Sequence, residues 1–332
     1  MRKKSIILLA VSLLLVALIS TCFLSSKRNP SELLKVGIPT WPGLGIIFLS
    51  QEKGFFGDLK VKPIVIDETS ARRAAFKSGD IDIQGPTVDA YALESALGLK
   101  GKIILVTDES YGGDGIVVKK DITKLSELKG KTVAYTEGFV SEFFLLYLLQ
   151  KDGLSLSDIN SRTVDDPGKA AQAFISGDVD AAVTWEPFLS QAAHTPNAKI
   201  LISTKEAKGL IIGILVAREA AMQERRADLE TFAKAWLQGV DYLKTHREES
   251  LKIMAQGFNM PLKEFTDTTG NLRYADRQKN RQYFGLNQAG TSRVVKIFNA
   301  ASAIWKETGL IKSTVPSKDV IDENFLKAVL TP

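Results

Sequence analysis

FKSGDIDI spans Phe76 to Ile83, and FISGDVDA spans Phe174 to Ala181. One eight-residue pattern therefore occurs twice, the second copy starting 98 residues after the first. Each copy follows an apolar helix face, AAF in the first and AAQAF in the second. Ser-Gly then ends the helix, because glycine tolerates the left-handed backbone that closes one. Asp-Ile-Asp or Asp-Val-Asp alternates polar and apolar residues, as a short half-buried strand does. Each copy reads helix, tight turn, strand.

The correspondence extends upstream. KVGIP (Lys35–Pro39) is a β-like run followed by a Gly-rich turn, an apolar helix and Gly54-Phe55-Phe56. KTVAY (Lys131–Tyr135) is a second such run, followed by a turn, the apolar helix FFLLYLLQKD and Gly153-Leu154. Further strand candidates follow in each half, VKPIVID and the weaker NSRTVDD, before the helix that ends in the repeated phrase. Each half reads β-α-β-α-β, and two similar α/β lobes are the expected architecture.

The 332 residues suffice for two domains, and 45% hydrophobic with 24% charged residues is ordinary for a globular chain. The start differs. MRKK precedes the apolar run SIILLAVSLLLVALIS and then TCFLSS. A basic start, a short apolar core and small residues form the layout of a secretory signal over residues 1–22, and the run is short for a retained span. Cys22 is the chain's one cysteine, so the body has no internal disulfide. It is either a signal residue without a role or, since LISTC resembles a lipobox, the lipidated first residue of a bacterial lipoprotein, although Thr21 stands where Gly, Ala or Ser is usual. Either way the folded part works outside the cytoplasmic membrane, in the periplasm or at the cell surface. Setting aside Arg2, Lys3 and Lys4 takes 3 from the formal charge of +5 and leaves about +2, with no basic run interleaved with aromatics. Nucleic acid is therefore not an expected partner.

The first lobe is expected over 34–113, with helices near 45–53, 70–78 and 88–97 and a strand KIILVT. The chain then crosses at DESYGGDG into a second lobe over 114–211. It returns near Lys208-Gly209 into LIIGILVAR. Three long amphipathic helical stretches follow, and residues 212–332 are expected to enlarge the first lobe. Two lobes joined by two crossings make a hinge. A small solute is expected in the cleft, beyond the carboxyl ends of the strands.

At this point the chain resembles the NMT1/THI5-like solute-binding proteins of bacterial ABC importers, the sulfonate/nitrate/taurine and thiamine-pyrimidine-precursor group. The residues that carry the resemblance are Trp41-Pro42-Gly43, Gly54-Phe55-Phe56 and Ser78–Asp82, then LSELKGKT (Leu125–Thr132), Ser176–Asp180 and Trp185-Glu186-Pro187. WKETGLI from Trp305 and the segment Asp322–Leu326 complete the pattern, which covers residues 34 to 328. The resemblance implies a type II periplasmic-binding-protein fold and capture of a small nitrogen- or sulfur-containing solute, taurine/sulfonate-like or pyrimidine-like, for a membrane ABC permease. It implies a monomer and no cofactor.

Five turns follow predicted strands and could face the cleft: PTWPGLG, GPTVDAY, DESYGGDG, TEGFVS and TWEP. The turns at Thr40 and Thr136 lead into helices, whose free N–H groups suit an anionic group. The hydroxyls of Thr40, Thr87, Thr136 and Ser141 are candidate ligand contacts or plain helix caps. Trp41 and Trp185 could stack on a flat or apolar ligand part or pack inside a lobe. Asp89, Asp114 and Glu186 could hold a cationic group or serve as capping carboxylates. None of the five turns contains Lys, Arg or His. A ligand with a cationic nitrogen, or a neutral polar one, is the expectation.

An enzyme is the remote alternative. His194 and His246 have no nucleophile or metal-type partner near them in sequence, and no GxSxG, HExxH or phosphate-loop pattern occurs. No metal site is expected. A sensory module that binds the same kind of ligand and reports to a membrane receptor is the other alternative.

Overall fold

The computed structural model describes residues 33–286 and 292–331. The signal segment and Cys22 lie outside the described residues. In chain order the strands are β1 (Leu34–Ile38), β2 (Val61–Val65), β3 (Ile83–Gln84), β4 (Gly101–Ser110), β5 (Asp114–Lys119) and β6 (Thr132–Thr136), then β7 (Asn160–Val164), β8 (Ala181–Trp185), β9 (Ala198–Ser203), β10 (Ile212–Arg218) and β11 (Leu272–Tyr274). They form two sheets, β2-β1-β3-β10-β4-β11 and β7-β6-β8-β5-β9.

The two orders are built alike. β1 is parallel to β2 and β3, and β6 is parallel to β7 and β8. The strand that enters each sheet from the other lobe, β10 or β5, inserts antiparallel beside β3 or β8. The repeated phrase sits at the same place in both. Gly79 and Gly177 have φ of +89° and +83°, the left-handed closure that SGD anticipates. The second aspartate of each copy then holds the first strand of its sheet. Asp82 accepts from the Lys35 N–H at 3.1 Å, and Asp180 accepts from the Thr132 N–H at 3.1 Å. These carboxylates satisfy strand-end amides and belong to the scaffold.

Helices α1 (Ile46–Glu52), α2 (Thr69–Ser78) and α3 (Val88–Ala96) flank the six-stranded sheet, and α4 (Val140–Lys151), α5 (Pro167–Ile175) and α6 (Phe188–Ala193) flank the five-stranded one. The later helices are α7 (Glu219–Glu224), α8 (Arg226–Thr245), α9 (Arg247–Gly257), α10 (Leu262–Thr269), α11 (Arg277–Tyr283), α12 (Arg293–Glu307) and α13 (Glu323–Leu330). They return to the six-stranded half: α8 packs on α1, α12 on α3, and α13 on α8. Their apolar faces bury Trp236 and Trp305 completely. Among the described residues no helix is long and apolar enough to cross a membrane.

The first crossing is shorter than the polar loop DESYGGDG suggests. β4 continues to Ser110 because both its edges are paired there, by β10 and by β11, and β5 begins at Asp114. The second crossing runs from 204 to 211. The two are laced together: the Thr204 hydroxyl lies 2.8 Å from the Ser110 hydroxyl and accepts from the Gly112 N–H at 2.7 Å. The Thr204 N–H in turn donates to the Asp114 carbonyl at 2.9 Å.

Beyond β11 the edge of β4 is finished by one side chain. Fully buried Asn280 accepts from the Val106 N–H at 2.8 Å and donates to the Val106 carbonyl at 3.0 Å, as a neighbouring strand would. Replacing Asn280 with Leu keeps the branched shape, adds some volume, and leaves both backbone groups buried without a partner. Asn280→Leu is expected to lower the stability by about 2–4 kcal/mol in urea titration, from the cost of orphaning buried polar groups. A loss under 0.5 kcal/mol would show that water replaces the side chain.

Candidate functional site

The strand ends of both sheets converge on one partly open space with a cavity volume of about 30 Å³. From the six-stranded half, the turn after β1 supplies Pro39, Trp41 and Leu44, and the turn after β3 supplies Gly85, Pro86 and Thr87. Thr107 and Asp108 come from β4, and Ile211 and Gly213 from the start of β10. From the five-stranded half come Asp114 at the start of β5, Phe139 and Val140 at the start of α4, and Trp185 at the end of β8. Three of these residues, Asp114, Ile211 and Gly213, are drawn from the antiparallel insert strands or the residue leading into one, so the crossings form part of the wall.

The floor is acidic. Asp108 is buried, its Oδ1 accepting from Trp41 Nε1 at 2.9 Å and its Oδ2 from the Thr107 hydroxyl at 2.7 Å. Gly213 makes this approach possible: a Cβ there would stand 2.7 Å from Asp108 Oδ2 and 2.6 Å from the Thr107 hydroxyl. Burial pushes the Asp108 carboxyl up to about 6, the two hydrogen bonds opposing the rise. Asp114 is 5% exposed, and its Oδ2 has no hydrogen-bond partner. Burial raises it to about 7; Ser110 tempers the shift, while the charges of Asp89, Asp108 and Glu186 add to it.

Asp89, in the first turn of α3, does not line the space but is close enough to raise Asp114. It is fully buried, and neither carboxyl oxygen has a well-formed hydrogen bond. Burial lifts it to about 7, although the Thr87 hydroxyl and the α3 amides of Asp89 and Ala90 stand near enough to temper the rise. The Thr87 hydroxyl, which lines the space, is likewise unpartnered. No Lys, Arg or His is among the described residues that line it.

The other sequence candidates are occupied by local partners. The Thr40 hydroxyl donates to Asp67 at 2.9 Å, and its carbonyl accepts from Trp185 Nε1 at 3.3 Å across the lobes. The Ser141 hydroxyl accepts from the Thr136 N–H at 3.2 Å, and the buried Thr136 hydroxyl has no partner; neither residue lines the space. Glu186 accepts from the Ser190 hydroxyl at 2.7 Å, the Ser190 N–H at 3.1 Å and Asn271 Nδ2 at 2.9 Å. Burial raises its carboxyl, and these hydrogen bonds oppose the rise. Asn271 precedes β11 in the six-stranded half, so Glu186 is a latch between lobes.

Asp108, Phe139 and Val140 were not among the residues singled out from the sequence. All three fall in turns expected to face the cleft, Asp108 in DESYGGDG and Phe139 and Val140 in TEGFVS, but none was named as a ligand contact. Phe139 packs against Trp185 with centroids 5.7 Å apart, and fully buried Arg72 stacks over its ring at 5.2 Å without lining the space. Among the described residues no group of three or more His, Cys, Asp or Glu could hold a metal ion.

The two-lobed geometry has known counterparts. A Bacillus subtilis (strain 168) protein named as an aliphatic sulfonates-binding protein is 25% identical, over 99% of this chain and 97% of that one. The alkanesulfonate-binding protein SsuA of Xanthomonas axonopodis pv. citri, solved bound to MOPS, superposes with a TM-score of 0.72 at 19% identity, covering 89% of this chain and 99% of that chain. The desulfurization enzyme DSZB shares the fold with a TM-score of 0.65 at 14% identity, covering 89% of this chain and 98% of that chain. Likeness at these identities carries the type II periplasmic-binding-protein fold, which binding proteins and an enzyme both use. The NMT1-like family model matches residues 27–258, and the chain belongs to that family.

Proposed function

We propose that this protein is the extracytoplasmic solute-binding component of an ABC importer, holding a small nitrogen- or sulfur-containing organic solute between its lobes and presenting it to a membrane permease. The observation that carries this reading is the interlobe space whose wall holds residues with unpartnered polar atoms, Asp114 and Thr87. Buried polar groups are normally paired, so orphans at a cavity between two lobes favour a missing ligand that opens it further. The named binding activity of the Bacillus subtilis relative supports the same class. On this reading the lobes divide near 113/114 and 211/212, the protein acts as a monomer, and a lipidated Cys22 holds it at the membrane.

Binding rather than catalysis is favoured by the histidines. His194 packs its Nδ1 against the Ser190 carbonyl at 2.5 Å, and His246 stacks on Tyr242 with centroids 4.0 Å apart. Neither lines the space.

A solute that binds only the closed folded state must stabilise it by mass action. In a thermal-shift screen of taurine, alkanesulfonates, nitrate, amino acids, polyamines and pyrimidines, at least one class is expected to raise the unfolding temperature by several degrees. The same class should quench or shift tryptophan fluorescence through Trp41 and Trp185. No response across the panel, with X-ray scattering unchanged by every compound, would refute a solute-binding role.

The empty site also has a stability signature. Asp89 and Asp114 are raised from 3.8 to about 7, so between those values the folded protein holds protons that the unfolded chain has released. Their favourable contribution is complete below about pH 4, falls through pH 4–7 and is gone above. Asp114→Asn mimics the protonated form at every pH. It is expected to be more stable than the wild type by about 1–3 kcal/mol at pH 8, from the cost of an unpaired buried charge, with the gap closing towards pH 4. Urea titrations at both pH values check this, and a variant less stable at pH 8 would contradict it.

A further inference from the structure

We propose that the solute selected by this cleft is a small organic cation, its protonated or quaternary nitrogen held by Asp114 and its apolar body held among Trp41, Phe139 and Trp185. The inference rests on the reading of the space as a solute site and names the chemistry of that solute.

Three observations lead to it. The first is the free acceptor. Asp114 is 5% exposed, lines the space together with Thr87, and leaves Oδ2 without a partner. A buried carboxylate oxygen beside a cavity needs a donor, and an ammonium or amidinium group supplies one together with the opposite charge. Asp89 and Asp108 stand near enough to act on Asp114, so a positive charge there is attracted by all three.

The second is that the anion-attracting features are already answered. Three helix starts border the space. Those of α3 and α4 carry a buried carboxylate in the first turn, Asp89 and Glu142, and the turn Pro42–Gly45 has no acid of its own but sets Gly43 against the Asp108 carboxylate. Glu142 accepts from the Gly138 N–H at 2.6 Å. An entering sulfonate or nitrate would meet Asp108 and Asp114, with Asp89 behind them and no cationic side chain on the described wall to offset them. Arg72 is the rival: it is buried, stacks on Phe139, and has an unpartnered Nη2. It does not line the space, and Glu94, Asp67 and Asp165 already answer its charge.

The third is the wall. Trp41, Phe139 and Trp185, with Leu44, Val140 and Ile211, present aromatic faces and aliphatic carbon. Aromatic faces attract cations and accept their alkyl substituents. The described acids do not converge as three ligands on one point, which separates this site from a metal-ion site.

The purified full-length chain in mild detergent, stripped of endogenous solute by unfolding and refolding, is titrated by calorimetry at pH 8. The probes are n-butylammonium, tetramethylammonium and cadaverine against butanesulfonate, taurine and nitrate. At least one cation is expected to bind, with Asp114→Asn and, independently, Asp89→Asn weakening it about tenfold or more, as loss of a charge-assisted contact does. Both variants are first shown to melt cooperatively. Binding of butanesulfonate or nitrate instead, abolished in Arg72→Met and kept in Asp114→Asn, overturns the cation and keeps the solute-binding role. Binding of taurine alone, with both single-charge series silent, overturns the cation in favour of a zwitterion. Silence from all six probes overturns it too, and the broader thermal-shift screen then decides whether the solute-binding role falls with it.

Discussion

Thr204 fixes the geometry on which the cleft depends. A two-lobed protein whose chain crosses twice must bring both crossings to one locus, or the lobes would drift instead of turning about an axis. Here one hydroxyl joins them: Thr204 accepts from the Gly112 N–H, meets the Ser110 hydroxyl, and sends its own N–H to the Asp114 carbonyl. The Asp114 N–H closes the loop by donating to Ser110 at 3.1 Å. Asp114 is thus held by its backbone at the pivot, where it lines the space. Tyr111 covers the outside of this knot under the Arg273 guanidinium, 3.9 Å from its ring centroid.

Around the knot, polar groups fall into two kinds. Scaffold groups are fully answered: Asp82 and Asp180 on strand amides, Asn280 on both backbone groups of Val106, and Glu186 on Ser190 and Asn271. Groups at the space are not: Asp114 and Thr87 in its wall, and Asp89 behind it, keep unpartnered oxygens. Asp82, Asn280, Glu186, Asp89 and Asp114 are all buried, so solvent does not explain the difference among them. Orphaned atoms also occur away from the space, at Gln84, Trp236 and Ser302, so an orphan points to a ligand only where its residue stands at the cavity.

The repeated phrase made the fold legible. Helix closure by Gly79 and Gly177 and the strands that follow are local matters of backbone preference, and these determine the β-α-β-α-β order of both halves. Part of the site was legible for the same reason. Trp41, Thr87, Asp114 and Trp185 sit in turns after strands, and all four line the space. What sequence spacing could not carry is who answers whom. Thr40 is taken by Asp67, 27 residues away, and Glu186 by Asn271, 85 residues away. Asp108 reads as loop because its strand partners, β10 and β11, come from more than a hundred residues downstream. Phe139 and Val140 lie in the turn TEGFVS, expected at the cleft, but as apolar residues among hydroxyl candidates they gave no signal of their own.

The acidic floor also bears on closure. A ligand shifts an open–closed balance only through contacts that differ between the two states. Trp41, Thr87 and Asp108 belong to one lobe and Asp114, Phe139 and Trp185 to the other, so the full set exists only when the lobes meet. The rim contacts are modest: Trp185 to the Thr40 carbonyl, Glu186 to Asn271, and Ser70 to Asp165. At the centre, Asp114 stands near enough to Asp89 and Asp108 to feel their charge, and all three are buried. Each must take up a proton or endure repulsion in a low-dielectric space. On the proposed reading a bound cation would remove that opposition, and a neutral solute of the same shape would not. The same carboxylates would then make closure conditional on the charge of what is inside.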